Sequence, residues 1–136
     1  MKPLWVDANV LLRLLTNDPP EMAEKAAALA GGAERGEIIL RVSPIVVAEM
    51  VWVLQSFYGF KKREIADALT AVLLAEGVDA LDRDVVLASL EAMATANVDF
   101  IDAYLAQVAL GKDELVCSFD EDFHSLGVGL MRPGEL

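Results

Sequence analysis

Hydrophobic positions along the chain alternate between short apolar runs and longer segments with the spacing of an amphipathic helix. The short runs predict strands at residues 4–6, 37–42, 78–81, 114–119 and 128–131. The longer segments predict helices at residues 9–15, 21–35, 44–58, 61–76, 82–97 and 99–110. Pro20 and Pro44 mark helix starts, and Gly59, Gly77 and Gly111 mark helix ends. Because strands alternate with helices, the pattern predicts an α/β fold, a three-layer sandwich with a mainly parallel central sheet flanked by helices.

Length and composition narrow the class of protein. The 136 residues, 55% of them hydrophobic, predict a single domain over residues 1–136 with a hydrophobic core. No apolar run is long enough for a membrane span, and an acid at position 7 interrupts any signal-peptide core. The single cysteine, Cys117, excludes an intramolecular disulfide and is expected to be a small core residue. A cytoplasmic location is the simplest expectation.

The net charge of −11 argues against general nucleic-acid binding, because phosphate contacts normally come from lysine and arginine. It is more compatible with a basic protein partner, or with a metal ion that supplies the missing positive charge. Four of the 22 acidic residues stand out from the solvated majority. Asp7 and Asp120 directly follow apolar strands, so both are expected at carboxyl ends of parallel strands, where α/β sheets build their sites. For each alone, capping of the next helix is an equal alternative.

Glu49 and Asp102 stand out because the predicted helices surround them with apolar residues. One helical turn from Glu49 lie Ile45, Val46, Trp52 and Val53, and one turn from Asp102 lie Val98, Leu105 and Ala106. A carboxylate buried on such a face is unfavourable unless it is paired. The only basic residues well placed in the sequence for pairing are Arg13, Arg41 and Lys112, too few for four acids.

Convergence of these acids would predict a hard divalent cation. Carboxylates that share a site repel one another unless a cation compensates, and Mg²⁺ or Mn²⁺ prefers oxygen ligands. The chain has one cysteine and one histidine, so a zinc site is not expected. A metal in a carboxylate cage can activate water for attack on a phosphodiester.

Four segments also carry a family resemblance. VDANVLLR at residues 6–13, SPIVVAEMVWVL at 43–54, DFIDAYLA at 99–106 and SFDEDF at 118–123 resemble the four motifs of PIN domains in order and spacing. The likeness extends from residue 4 to about 131, and it is nearest to the VapC-type toxins of prokaryotic toxin–antitoxin pairs. Ser118 stands where the family often has threonine, a change that keeps the hydroxyl.

The resemblance implies a Mg²⁺- or Mn²⁺-dependent endoribonuclease that forms a homodimer and is inhibited by a VapB-type antitoxin protein. It implies that the catalytic and metal-binding acids are Asp7, Glu49, Asp102 and Asp120. Asn9 would orient Asp7, and Ser118 would donate or accept a hydrogen bond within the site. Asp99 is either an outer-shell ligand or a helix N-cap, and Asp122 is expected to face solvent or to cap a helix.

Weaker features leave alternatives open. Residues 61–63 form a basic cluster that is either a surface patch at a helix start or a contact for RNA or antitoxin. Arg13 would pair with a site acid or touch phosphate, whereas His124 is expected to be an ordinary loop or helix residue and not a general acid. Residues 52–60 would be either core or an apolar patch for a partner.

Two other classes of function compete with the nuclease. A non-catalytic module that binds a metal or a basic peptide through its acids is the main alternative. A phospho-acceptor receiver domain would also gather acids at strand ends, but it usually needs a lysine after the last strand. Met131, Arg132 and Pro133 offer none.

Overall fold

The computed structural model describes residues 1–135 and contains two compact units, Met1–Arg83 and a second that begins at Asp84. The first contains β1 (Lys2–Trp5), α1 (Ala8–Thr16), α2 (Pro20–Glu34), β2 (Ile38–Val42), α3 (Pro44–Ser56), α4 (Lys62–Leu73) and β3 (Val78–Ala80). The second contains α5 (Arg83–Ala96) apart from its first residue, α6 (Phe100–Gly111), β4 (Val116–Cys117), a 3₁₀ helix (Glu121–Leu126) and β5 (Leu130–Met131). No helix within residues 1–135 is long and apolar enough to cross a membrane.

The first unit is built on a three-stranded parallel sheet in the order β1-β2-β3. The central strand β2 buries Leu40 and Val42, which are 3% and 0% exposed. The strand ends at Val42, and the hydroxyl of the next residue, Ser43, accepts a hydrogen bond from the Val46 amide at 3.2 Å and so caps the start of α3. Parallel pairing brings the carboxyl ends of β1 and β2 to one edge of the sheet, where α1 and α3 begin.

The second unit combines two helices with a two-stranded parallel sheet of β4 and β5. Its core contains Leu90 and Met93 of α5, Ala103 and Ala106 of α6, and Phe123 of the 3₁₀ helix. The alanines let neighbouring elements approach α6 closely. The 3₁₀ helix directly follows Asp120 and ends at Gly127, whose φ of 72° is in the left-handed region.

The predicted α/β fold with parallel strands is confirmed, since every strand pair described is parallel. Three details differ from the prediction. In residues 1–135 the strands form two sheets of three and two strands, and the strand predicted at 114–119 is reduced to Val116–Cys117. Cys117 is exposed and is not a core residue.

Candidate active site

Asp7 lies two residues beyond the carboxyl end of β1, at the start of α1. Its carboxylate is exposed, and Oδ1 accepts a hydrogen bond from the Val10 amide at 3.2 Å. Asp7 is therefore the N-cap of α1, the structural alternative considered for it. The described cap uses Oδ1, and exposure keeps the carboxylate accessible to a ligand. The two roles are thus compatible.

Asn9 and Arg13 lie on α1 and line the same groove as Asp7. The described hydrogen bond to Asp7 comes from the Val10 amide, and Asn9 is exposed beside it. Arg13 does not pair with a quartet acid among the described ion pairs; its Nη1 donates to the Asp18 carbonyl oxygen at 3.0 Å. The guanidinium of Arg41 pairs with Asp79. Arg13 and Arg41, two of the cations considered as partners for the acids, therefore bond to groups outside the quartet.

Glu49 is exposed, so the prediction that it lies on a buried apolar face is wrong. Its neighbours Ile45 and Trp52 are 81% and 67% exposed. The core side of α3 is instead formed by Val47, Met50, Val51 and Leu54. Because α3 is apolar on nearly every side, apolar neighbours do not identify its buried face. Within residues 1–135 the Glu49 side chain makes no described hydrogen bond or ion pair.

Asp102 is half-buried on α6, and its pKa is raised above the ordinary aspartate value. Burial is the largest cause, followed by the negative charges of Asp120, Asp99 and Asp122. The second unit therefore brings together Asp102 and Asp120 from the predicted quartet, with two further acids. A nearby cation would relieve this repulsion.

Asp120 is held by two hydrogen bonds to its own loop. Its amide donates to Ser118 Oγ at 2.9 Å, and its Oδ1 accepts from the Asp122 amide at 2.9 Å. Asp120 thus caps the 3₁₀ helix, and Ser118 orients its backbone. The carboxylate stays exposed. These local bonds hold Asp120 within electrostatic range of Asp102.

Asp99 and Asp122 both contribute to the charge around Asp102. Asp99 occupies the N-cap position of α6 but makes no capping hydrogen bond through its side chain. Its exposed carboxylate is therefore available to a ligand. Asp122 is exposed, as expected, but its negative charge also acts on Asp102, which the sequence did not predict. The signal that could have found it is its position two residues after Asp120, inside the same tight turn.

The weaker sequence features mostly have structural roles. Residues 61–63 form the start of α4, where Arg63 pairs with Asp67 one turn along the helix. His124 Nε2 lies 2.7 Å from Glu121 Oε2 in the 3₁₀ helix, and Glu121 also pairs with Arg132. The contact of His124 agrees with its expected place as an ordinary helix residue, whereas a contact of residues 61–63 with RNA or antitoxin stays a prediction.

The aromatic segment at residues 52–60 divides between surface and fold. Phe57 is 77% exposed. Tyr58 donates from its hydroxyl to Asp18 Oδ2 at 3.1 Å and so holds the loop before α2. Part of the segment is therefore available to a partner, and part is structural.

The donor chemistry fits a hard divalent cation, because the candidate ligands are carboxylate oxygens and the repulsion around Asp102 needs positive charge. Across residues 1–135, however, no group of three or more His, Cys, Asp or Glu side chains is arranged to hold a metal ion. The described acids therefore supply suitable ligands without forming a complete cage.

A family model for the PIN domain matches residues 4–129, a span that includes Asp7, Glu49, Asp102 and Asp120. The chain therefore belongs to the PIN domain family. PIN domains are generally nucleases that act on nucleic acid with divalent metal ions. The comparison with curated proteins gives no match.

Replacing Asp102 by asparagine is expected to stabilise the metal-free chain at neutral pH. The raised pKa of Asp102 means that ionising this carboxyl destabilises the folded state relative to the unfolded state. This penalty is absent below the ordinary aspartate range, develops as the pH rises to the raised pKa, and is complete above it. We expect Asp102→Asn to increase the free energy of unfolding by about 0.5–1 kcal/mol at pH 7.

Urea unfolding in the presence of a chelator, at pH 7 and at the lowest pH at which the proteins stay folded, measures this effect. Glu114→Gln is the matched control, because Glu114 is an exposed acid of the same unit. The control should change the free energy of unfolding little at either pH. A gain for Asp102→Asn that is equal at both pH values would contradict its electrostatic origin.

Proposed function

We propose that this chain is a Mg²⁺- or Mn²⁺-dependent endoribonuclease whose catalytic and metal-binding acids are Asp7, Glu49, Asp102 and Asp120. The observation that carries the proposal is the half-buried Asp102, whose pKa is raised first by burial and then by the negative charges of Asp120, Asp99 and Asp122. Such repulsion is unfavourable for a structural role and suits a cation-binding role. Membership of the PIN domain family supports the same reading.

The chain's own part in the reaction is to hold carboxylates ready. A divalent metal bound by these acids would supply activation of water and stabilisation of the leaving oxygen of a phosphodiester. Asp7 is held by the Val10 amide, and Asp120 by the Asp122 amide and by Ser118. These backbone bonds fix the acids before RNA arrives, so less ordering is required on binding.

RNA is the proposed substrate in spite of the net charge of −11. A divalent ion at the acids would reduce the local negative charge and attract the scissile phosphate. Basic side chains near the site would supply the other phosphate contacts. Affinity for RNA should therefore depend on the metal and on a few local cations.

We further propose that the protein is the toxin of a cytoplasmic toxin–antitoxin pair, acting as one nuclease domain over residues 1–136. The four motifs support the VapC-type assignment, and the strongly acidic surface suits a basic antitoxin protein. The single family match over residues 4–129 supports one domain. The exposed side chains of Ile45 and Trp52, one above the other on α3, support a homodimer contact.

Mn²⁺ is expected to switch on cleavage of single-stranded RNA, and a chelator is expected to abolish it. The physical reason is that carboxylates alone supply no positive charge to stabilise the phosphodiester as it is cleaved, so activity should fall at least about 100-fold in EDTA. Incubation with a circular RNA, followed by gel electrophoresis, measures the effect. Because a circle has no ends, a linear product also shows that the cut is internal.

Excess Mn²⁺ added after EDTA should restore cleavage. Cleavage that persists in EDTA would contradict the proposal. Binding of Mn²⁺ or of a basic peptide without any RNA turnover would instead favour the non-catalytic module, the second candidate function. Its support is the same set of acids, which would hold a cation in either case.

A further inference from the structure

A groove of about 410 Å³ lies between α1 and α2 of the first unit. Four of its residues come from the start of α1: Asp7, Asn9, Val10 and Arg13. The other four come from one face of α2: Met22, Lys25, Ala26 and Leu29. The α2 spacing of three to four residues places these side chains along one side of the helix. Since Asp7 lines the groove, any ligand bound there lies beside this proposed catalytic acid.

The charges in the groove differ from those of the chain as a whole. Arg13 and Lys25 oppose the single carboxylate of Asp7, so the groove has an excess of positive charge in a protein of net charge −11. Arg13 is half-buried, and its Nη1 is held by the Asp18 carbonyl oxygen. An arginine held in this way loses little freedom when its other N–H groups bind an anion.

The apolar side chains give the groove a second character. Met22 is 51% exposed, and Leu29 and Val10 are half-buried. A flexible methionine next to aliphatic groups offers a surface for the flat face of a base. A nucleotide carries a phosphate close to a flat base. A groove with both cations and apolar surface can therefore contact both parts of a nucleotide.

We propose that this groove is a subsite for single-stranded RNA that binds the nucleotide next to the cleaved phosphodiester. Arg13 and Lys25 contact its phosphate, and Met22 and Leu29 contact its base. The inference rests on the proposed nuclease function and adds to it a location for substrate binding. A basic peptide fits this groove less well than RNA does, because Arg13 and Lys25 would repel it.

The larger cavity of the same unit does not suit RNA. It has a volume of about 450 Å³ and is lined mainly by aliphatic side chains of α1, α2 and α4. Its charged lining residues are Glu34 and Glu76, which would repel a phosphate. The contrast between the two cavities places RNA in the groove beside Asp7.

Lys25→Gln is expected to weaken RNA binding about fivefold, because one phosphate contact is lost. The test uses the 136-residue chain carrying Asp102→Asn, so that the RNA is not consumed, with Mn²⁺ and a fluorescein-labelled single-stranded oligoribonucleotide. Fluorescence anisotropy at several salt concentrations gives the dissociation constant and its salt dependence. The slope of log affinity against log salt should fall in magnitude by about 0.7.

Two further variants separate charge from apolar contact. Lys2→Gln is the matched control, because Lys2 is an exposed lysine of the same unit that does not line the groove. It should leave both affinity and salt slope nearly unchanged. Met22→Ser should weaken binding about two- to threefold with the salt slope unchanged, because it removes apolar area without removing charge. Lys25 is a better probe than Arg13, which also holds Asp18.

The outcomes distinguish the groove from the nuclease proposal. In the chain with Asp102 intact, Lys25→Gln should raise KM for RNA and leave kcat nearly unchanged, as expected for a binding contact. If the unmodified chain cleaves RNA but the Lys25→Gln and Lys2→Gln variants bind RNA equally well, the subsite is overturned and the nuclease proposal stands. If the unmodified chain does not cleave RNA but Lys25→Gln binds RNA more weakly than Lys2→Gln does, the nuclease proposal is overturned and RNA binding in the groove is retained. Unchanged RNA affinity with altered binding of a protein partner would assign the groove to that partner and overturn the subsite.

Discussion

Asp7→Asn is expected to lower Mn²⁺-dependent RNA cleavage by about 10²–10³-fold while leaving the free energy of unfolding within about 0.5 kcal/mol. Asparagine caps helices as well as aspartate does, so the hydrogen bond from the Val10 amide can be kept. What is lost is the negative charge that a metal requires. Cleavage assays and urea unfolding of the same preparation measure both quantities.

This substitution separates the two roles that Asp7 combines. If Asp7 were only an N-cap, asparagine would leave activity intact, and that result would contradict the catalytic assignment. Asp7→Ala should lose activity and also about 1 kcal/mol of stability, because the cap is removed. Glu24→Gln, which neutralises an exposed acid of α2 outside the groove, is the control and should change neither quantity.

Gly77→Ala is expected to destabilise the fold by about 3 kcal/mol or more. Gly77 precedes β3 with a φ of 80°, a conformation unfavourable for alanine. A Cβ at this position would lie 2.3 Å from the Ala33 carbonyl oxygen and 2.7 Å from the Ala33 Cβ. One of the two backbone segments would therefore have to move. The Gly77 carbonyl oxygen accepts a hydrogen bond from the Leu40 amide at 2.8 Å, so moving Gly77 would also disturb this bond.

Gly59→Ala is the matched control for this effect. Gly59 has a similar φ of 71°, but a Cβ there would meet nothing within 4 Å. It should therefore show only the cost of the left-handed backbone, about 1–2 kcal/mol. Urea unfolding of both variants measures the difference. An equal loss of stability for the two would contradict a role for the contact with Ala33.

Local interactions explain why helix starts and turns could be predicted. Ser43 and Pro44 begin α3 as expected, since a hydroxyl cap and a proline act within one turn of chain. Pro20 is the first residue of α2, as predicted, although this helix has no side-chain cap. The positions of Asp7 and Asp120 after strands were also predictable, because strand followed by acid is a local pattern.

Burial was harder to predict because it depends on which face meets the rest of the unit. The strand predicted around β4 shows this clearly. Val116 is buried, whereas Leu115 and Phe119 are 61% and 80% exposed. Successive residues of a strand face opposite sides of the sheet. Here the buried side carries Val116, although Leu115 and Phe119 on the other side are bulkier. Cys117 is exposed for the same reason.

The amino-acid sequence by itself determined the α/β class, the order of the elements, the family motifs and the identity of the candidate acids. These properties follow from local spacing and chemistry. Only the tertiary structure decided that Glu49 is exposed, that Asp99 and Asp122 share the field around Asp102, and that Arg13 and Lys25 face one groove. Exposure and electrostatic coupling depend on distances between residues far apart in the chain, and those distances arise only when helices and strands pack.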